Sequence, residues 1–220
     1  MQVNKKVGLG FTLVEMAIVL VVVGLLITGL ILPLSVQKDL KDYQDTRIAL
    51  AEIKEALIGY SLSHSASDSR PYLPCPDTNA DGLEENRDAA GICSTGFVGD
   101  LPWATLGLGK SDSWNRAYIY QVSPSFSNNI NGFNFASLGN LVVLDAKAGN
   151  EIASEIPAVM VSKGKNGDGA AIDEVENSNG DSTFVSHEQI EVAANQFDDV
   201  VVWLPTTVLF HRMVAGGRLP

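Results

Sequence analysis

From Met16 to Gln37 the chain runs for 22 consecutive residues without a charged side chain. A helix of that length rises about 33 Å, roughly the hydrocarbon thickness of a bilayer. Val19-Leu20-Val21-Val22-Val23 with Leu25-Leu26-Ile27 is apolar on every face. Such a surface suits lipid or a helix-bundle core, not a half-exposed surface helix. Beyond Gln37 the character changes without any turn signal. Leu40, Tyr43, Ile48, Leu50, Ile53, Leu57 and Ile58 recur at roughly helical spacing among charged residues, an amphipathic continuation. One helix is therefore expected from about Phe11 to about Ser63, on the order of 80 Å long. Residues of about 14–37 are its expected membrane-spanning part. Gly24, Gly29 and Pro33 interrupt it and are expected to bend or loosen it.

Two ordinary readings of the N-terminus compete. Lys5 and Lys6 give a positive leader and the apolar run resembles a signal-peptide core. No A-x-A-like cleavage site follows, however, and a carboxylate, Glu15, stands at the head of the run. A simple membrane anchor is the other reading, with Glu15 marking the headgroup level. A carboxylate at the edge of a membrane helix costs a few kcal/mol or more in hydrocarbon, so it is a functional candidate by default.

Gly10-Phe11-Thr12-Leu13-Val14-Glu15-Met16, after a short leader carrying Lys5 and Lys6, resembles the cleavage and methylation motif of type IV prepilins. The resemblance covers about the first 40 residues. It implies that residues 1–10 are a leader cut between Gly10 and Phe11 by a membrane-embedded prepilin peptidase. It implies N-methylation of Phe11 by the same enzyme. Glu15 matches the family's motif glutamate, and Gly24 and Pro33 match helix-loosening positions typical of pilins. In a pilin-like filament the Glu15 carboxylate of one subunit pairs with the Phe11 amine of its neighbour. An unpaired buried charge is strongly destabilising, so such a pair selects the axial register more than it adds net stability. Loss of the leader removes two lysines and deepens the formal charge from −11 to −13.

Residues 64–220 are enough for one small core, and the whole chain is 45% apolar, too much for a disordered one. Its 26 acidic against 15 basic side chains argue against nucleic-acid binding by bulk charge. A Ser-rich turn over 61–69 reads as the helix exit. Expected strands are 117–122, 141–144, 158–162 and 199–204, each short and bounded by turn residues. No helical pattern alternates with them, so an antiparallel sheet is expected. Thr206 to Ala215 reads as a C-terminal helix with a threonine N-cap and Gly216-Gly217 as its stop. The stretch 164–182, rich in Asn, Ser, Gly and Asp, reads as a long loop. The expected fold is α+β, a long N-terminal helix packed on a small antiparallel sheet with long loops. Leu73-Pro74-Cys75-Pro76-Asp77, Leu101 to Leu108, Asp112-Ser113-Trp114, Phe197 to Leu204 and Met213 to Pro220 resemble a group of pilin-like proteins of Gram-negative bacteria, a likeness that names no activity.

The pilin-like route places this domain in the periplasm, where disulfides persist. Cys75 and Cys93, 18 residues apart, are expected to pair there, contributing about 3 kcal/mol; metal ligation, the alternative, lacks further Cys or His ligands at useful spacing. Between them, Asp77, Asn79, Asp81, Gly82 and Asp88 fill EF-hand positions 1, 3, 5, 6 and 12. That spacing allows a Ca2+ loop with Asp77, Asn79, Asp81 and Asp88 as ligands. An Asx-rich turn without an ion is the competing reading, favoured by Asp at position 12, Glu84 at position 8, and Pro74 and Pro76 where an entering helix would run. The Asx residues Asn166, Asp168, Asp173, Asn177, Asn179 and Asp181 have no regular ligand spacing.

Other signals carry little chemistry. Gly109-Lys110-Ser111 shares a P-loop ending, but Ala104 stands where its first glycine belongs. His64, His187 and His211 show no metal or triad spacing. Trp103, Trp114 and Trp203 are expected in the core. Asp198 and Asp199 read as a turn before a strand, because neighbouring strand residues face opposite ways and would not converge as an acid/base pair. No convergent catalytic set marks an enzyme. The resemblance implies a structural subunit, either a minor pilin of a type IV pilus or a pseudopilin of a type II secretion system. It implies a single-pass inner-membrane protein with a periplasmic exodomain, found on a filament or at the cell surface after assembly. Its partners would be other pilin subunits, the prepilin peptidase and an inner-membrane assembly platform. A binding module at a filament tip (adhesin, DNA-uptake factor or substrate recogniser) is the alternative.

Overall fold

In the computed structural model of the chain the described residues are 12–192 and 195–220, and the side chains of 28–35 lie outside that description. The leader, Gly10 and Phe11 therefore fall outside it too. The chain divides into two compact units, Met1–Asp42 and Tyr43–Pro220, and the helix α1 (Leu13–Ser63) contributes to both. It stays helical through Gly24, Gly29 and Pro33, so the expected loosening does not end it. Its first turn is closed by a reciprocal capping box. Thr12 Oγ1 accepts from the Glu15 N–H (3.2 Å), and Glu15 Oε2 accepts from the Thr12 N–H (3.1 Å).

Among the described residues no helix is long and apolar enough to cross a membrane. The expected span of about 14–37 is not met there for a simple reason. The described apolar side chains run from Leu13 to Ile27, short of the ~20 residues a crossing takes, and the remainder includes 28–35. Within the first unit those apolar side chains are exposed, Leu13 by 90%, Leu20 by 71% and Leu25 by 70%.

The second unit is layered around one strand. β5 (Ala158–Ser162) is buried along its whole length. It pairs antiparallel with β2 (Ile119–Val122) on one side and β7 (Val200–Leu204) on the other; β1 (Val98–Asp100) extends the sheet beyond β2. Alternate side chains of a strand face opposite ways, and the two faces serve two cores. Ala158 and Met160 join Tyr118, Tyr120, Val200 and Leu204 against Leu50, Ile53, Leu57 and Ile58 of α1 and Leu209 and Met213 of α4 (Thr206–Ala215). Val159 and Val161 join Val201 against Leu141, Val143, Ile156 and Phe184 of a second sheet. That sheet has the order β4-β3-β6, with β3 at Leu141–Leu144, β4 at Glu151–Ile156 and β6 at Thr183–Val185.

The α+β class and the antiparallel main sheet agree with expectation. The second sheet does not: β3 and β6 run parallel. Strands β1, β4 and β6 were not anticipated, nor were the short helices α2 (Trp103–Leu106) and α3 (Ile172–Glu176). The stretch 164–182 is thus not wholly loop. At α4 the cap is Pro205, with no side-chain hydrogen bond, and Thr206 instead donates to the Glu155 carbonyl (2.6 Å). The tryptophans are only half buried; the fully buried rings include Tyr120, Phe126, Phe133 and Phe197. Ile156 is 2% exposed in the second core. Ile156→Val is expected to lower unfolding free energy by about 0.5–1.5 kcal/mol, read as a lower urea midpoint.

Candidate functional site

Glu15, the motif glutamate, is solvent-exposed and held by Thr12 through both backbone and hydroxyl. Sequence reasoning missed this local partnership, although T-x-x-E is its ordinary signature.

Cys75 and Cys93 form a disulfide, with Cα atoms 5.7 Å apart. The loop between them is organised by hydrogen bonds of its own. Asp77, 1% exposed, accepts from the N–H groups of Asn79 and Ala80 through Oδ1 and from Gly82 through Oδ2. Asn79 Oδ1 accepts from the Asp81 N–H, and Asp81 Oδ1 from the Leu83 N–H. Asp88 Oδ1 accepts from Ala90 and Ile92. Each residue expected as a Ca2+ ligand thus has at least one side-chain oxygen engaged by backbone N–H groups. Asp77, Asp81 and Asp88 do not converge among the described residues as a group able to hold a metal. The EF-hand spacing encodes a chain of Asx turns.

Glu84, at the position where an EF-hand carries an apolar residue, pins this loop to the core. Its carboxylate accepts from Tyr60 Oη (2.5 Å), the Cys75 N–H (3.1 Å) and Arg87 Nη1 (2.8 Å). Arg87 also donates to the carbonyls of Leu73 and Ser127 and lies over the Tyr72 ring. Burial first, then the Glu84 charge, pushes the Tyr60 hydroxyl far above its ordinary range.

The convergent acid cluster lies elsewhere. Glu174 from α3, with Asp198 and Asp199 just before β7, each place one carboxylate oxygen within 4.8 Å of the other two. They are 3%, 9% and 4% exposed. Asp198 and Asp199 lie in irregular chain between the Ile190–Phe197 bridge and β7 instead of in a turn, and their approach to each other corrects the expectation that the pair would not converge. Neither residue is in the strand, so strand alternation does not separate them.

The Gly-rich segment after β5 closes over the cluster. The Asn166 N–H donates to Asp198 Oδ2 (2.9 Å), and its side-chain amide to Glu174 Oε1 (2.9 Å). The Asn177 amide donates to Asp199 Oδ2 (2.9 Å) and is fixed in turn by the Val185 backbone. A Cβ at Gly164 would fall 2.4 Å from Asp198 Oδ1, and one at Gly169 would strike Glu174 Oε2. Gly164 also has φ +58°, so glycine is required there on two counts. Of the other Asx residues in this stretch, Asp168 pairs with Lys163 (2.6 Å) and Asp173 with His187 (3.3 Å).

One oxygen of each acid, Glu174 Oε2, Asp198 Oδ1 and Asp199 Oδ1, is buried with no hydrogen-bond partner, as is Asn166 Oδ1. Burial pushes the Asp199 carboxyl up to about 7, with the charges of Glu174 and Asp198 adding to the shift. Burial also raises Asp198. The cluster is therefore a buried set of hard oxygen donors able to hold a metal ion. Sequence spacing alone could not reveal it, since its members lie on segments brought together by the β5–β7 pairing.

His64 stacks on Tyr60 and His187 packs at a tilt against Phe197, with ring centroids 3.9 and 3.8 Å apart. No protein-family model, curated protein or solved structure matches this chain.

Proposed function

We propose that the chain is a structural subunit of a type IV pilus-like filament, as a minor pilin or a type II secretion pseudopilin. The observation that carries this reading is the N-terminal sequence: Lys5 and Lys6, then Gly10-Phe11-Thr12-Leu13-Val14-Glu15, then 22 uncharged residues. On this reading residues 1–10 are removed by a prepilin peptidase and Phe11 is methylated. Residues of about 14–37 hold the chain in the inner membrane before assembly. The exodomain then lies in the periplasm, where the Cys75–Cys93 bridge persists. The subunit performs no chemistry of its own.

The exposed apolar side chains from Leu13 to Ile27 support this use. A contiguous apolar surface of that kind needs a cover. Lipid supplies it before assembly, and the helices of neighbouring subunits supply it afterwards. Fractionation of the native cells tests the proposal. The mature chain is expected in the sheared filament or periplasmic pseudopilus fraction, and it should cross-link to other pilin subunits. Recovery solely as an uncross-linked membrane monomer, with filaments present, would contradict it.

A further inference from the structure

We propose that Glu174, Asp198 and Asp199, with the Asn166 side-chain carbonyl, form a Ca2+ site that clamps the 163–171 segment and α3 onto the start of β7. The proposal stands independently of the filament reading.

Three buried carboxylates each bring an oxygen within 4.8 Å of the other two. Each also carries a buried oxygen without a hydrogen-bond partner, and so does Asn166, whose amide donates to Glu174. A buried acceptor left unsatisfied costs about 1–3 kcal/mol, more when charged. Like carboxylates at this separation also repel one another. A fold that gathers such atoms needs a positive occupant, either a metal ion or protons. The second oxygens of the acids are already engaged by amide donors from Asn166, Asn177 and the Asp198 backbone. These hydrogen bonds orient the free oxygens, as outer-shell partners orient metal ligands. Lys163 is engaged by Asp168, and Arg116 donates to the Lys165 carbonyl.

The donor set names the class of ion. The convergent donors are three carboxylates and no Cys or His joins them, which selects a hard cation over zinc or copper. Burial then separates the two common hard cations. Mg2+ dehydrates reluctantly and keeps several waters in near-octahedral geometry. The close approach of Gly164 and Gly169 leaves little room for such a hydrated ion. Ca2+ accepts an irregular cage of carboxylate and amide oxygens. The ion would tie α3, a helix of only five residues, to the start of β7.

The test uses the full chain in detergent, stripped with chelator and titrated with CaCl2 in a melting assay and by calorimetry. Saturable binding is expected, with a melting temperature about 5–10 °C higher at a hundredfold excess over the dissociation constant. MgCl2 at equal concentration should give a clearly smaller shift. Asp199→Asn should abolish the Ca2+ shift while melting no lower than wild type in chelator, because it removes a buried charge. Asp81→Ala, in the disulfide loop, should keep the full shift. No saturable binding at millimolar Ca2+ would overturn the proposal and assign the cluster to shared protons. An equal response to Mg2+ would overturn the choice of ion, and loss of the shift in Asp81→Ala alone would move the site. If Asp199→Asn fails to fold, the wild-type titration with both cations still decides.

Discussion

Glu15→Gln is expected to leave the leader cleaved and the second unit folded, and to remove the chain from filaments. Two roles for Glu15 are separable by this substitution. In the monomer its carboxylate completes the capping box with Thr12, and glutamine is equally suited to that position. In the proposed filament it neutralises the Phe11 amine of a neighbour, and glutamine has no charge for that. Leaving one partner of a buried ion pair uncompensated costs about 3–5 kcal/mol, on the order of a hundredfold or more in incorporation. Thr12→Ala is the complementary change. It removes the cap at a cost of about 1 kcal/mol and should leave assembly largely intact. Quantitative blotting of filament fractions reads both. Wild-type incorporation of Glu15→Gln would show that the residue acts only as a helix cap.

Replacing both cysteines, Cys75→Ser with Cys93→Ser, is expected to destabilise the second unit by about 3 kcal/mol, from the chain entropy released in an 18-residue loop. The folded loop should survive locally, because Asp77 and Glu84 hold it through backbone and side-chain hydrogen bonds. The change should therefore appear as a lower urea midpoint, with a slope no smaller than wild type because the unfolded chain loses its cross-link. Reductant should reproduce the shift in wild type and do nothing to the double variant. A midpoint within error of wild type would mean that the Glu84–Arg87 network alone supplies the constraint.

The elements legible in the sequence are those with strong local signals. Leu141–Leu144 and Ala158–Ser162 are apolar runs bounded by Gly, Asn or Pro, and the structure places strands over those residues. Leu50, Ile53, Leu57 and Ile58 keep helical spacing and enter the main core as their periodicity requires. Glu151–Ile156 was hidden because it is an exposed edge strand carrying two glutamates. Thr183–Val185 was hidden because its parallel pairing with β3 depends on a distant partner.

The acid cluster was obscured by a similar lack of local signal. Asp198 and Asp199 are legible only as the residues before a strand, and Glu174 reaches them once β5 and β7 pair and the 164–171 segment folds back. Conversely, the spacing of Asp77, Asn79, Asp81 and Asp88 is a strong local signal, and the structure fills it with Asx turns. Alternating Asx residues serve backbone N–H groups as readily as a cation, and only the geometry tells which. Trp103 shows the same limit: its ring covers Gly82, which has φ +86° and no room for a Cβ, from a half-buried position that composition alone does not suggest.

The proposed processing of the N-terminus is tested most directly by mass spectrometry of the mature protein isolated from its native cells. The expected result is an N-terminal peptide that begins at Phe11 and carries one added methyl group on its amine. A chain that still begins at Met1, or one cut at residue 28 or beyond, would contradict it.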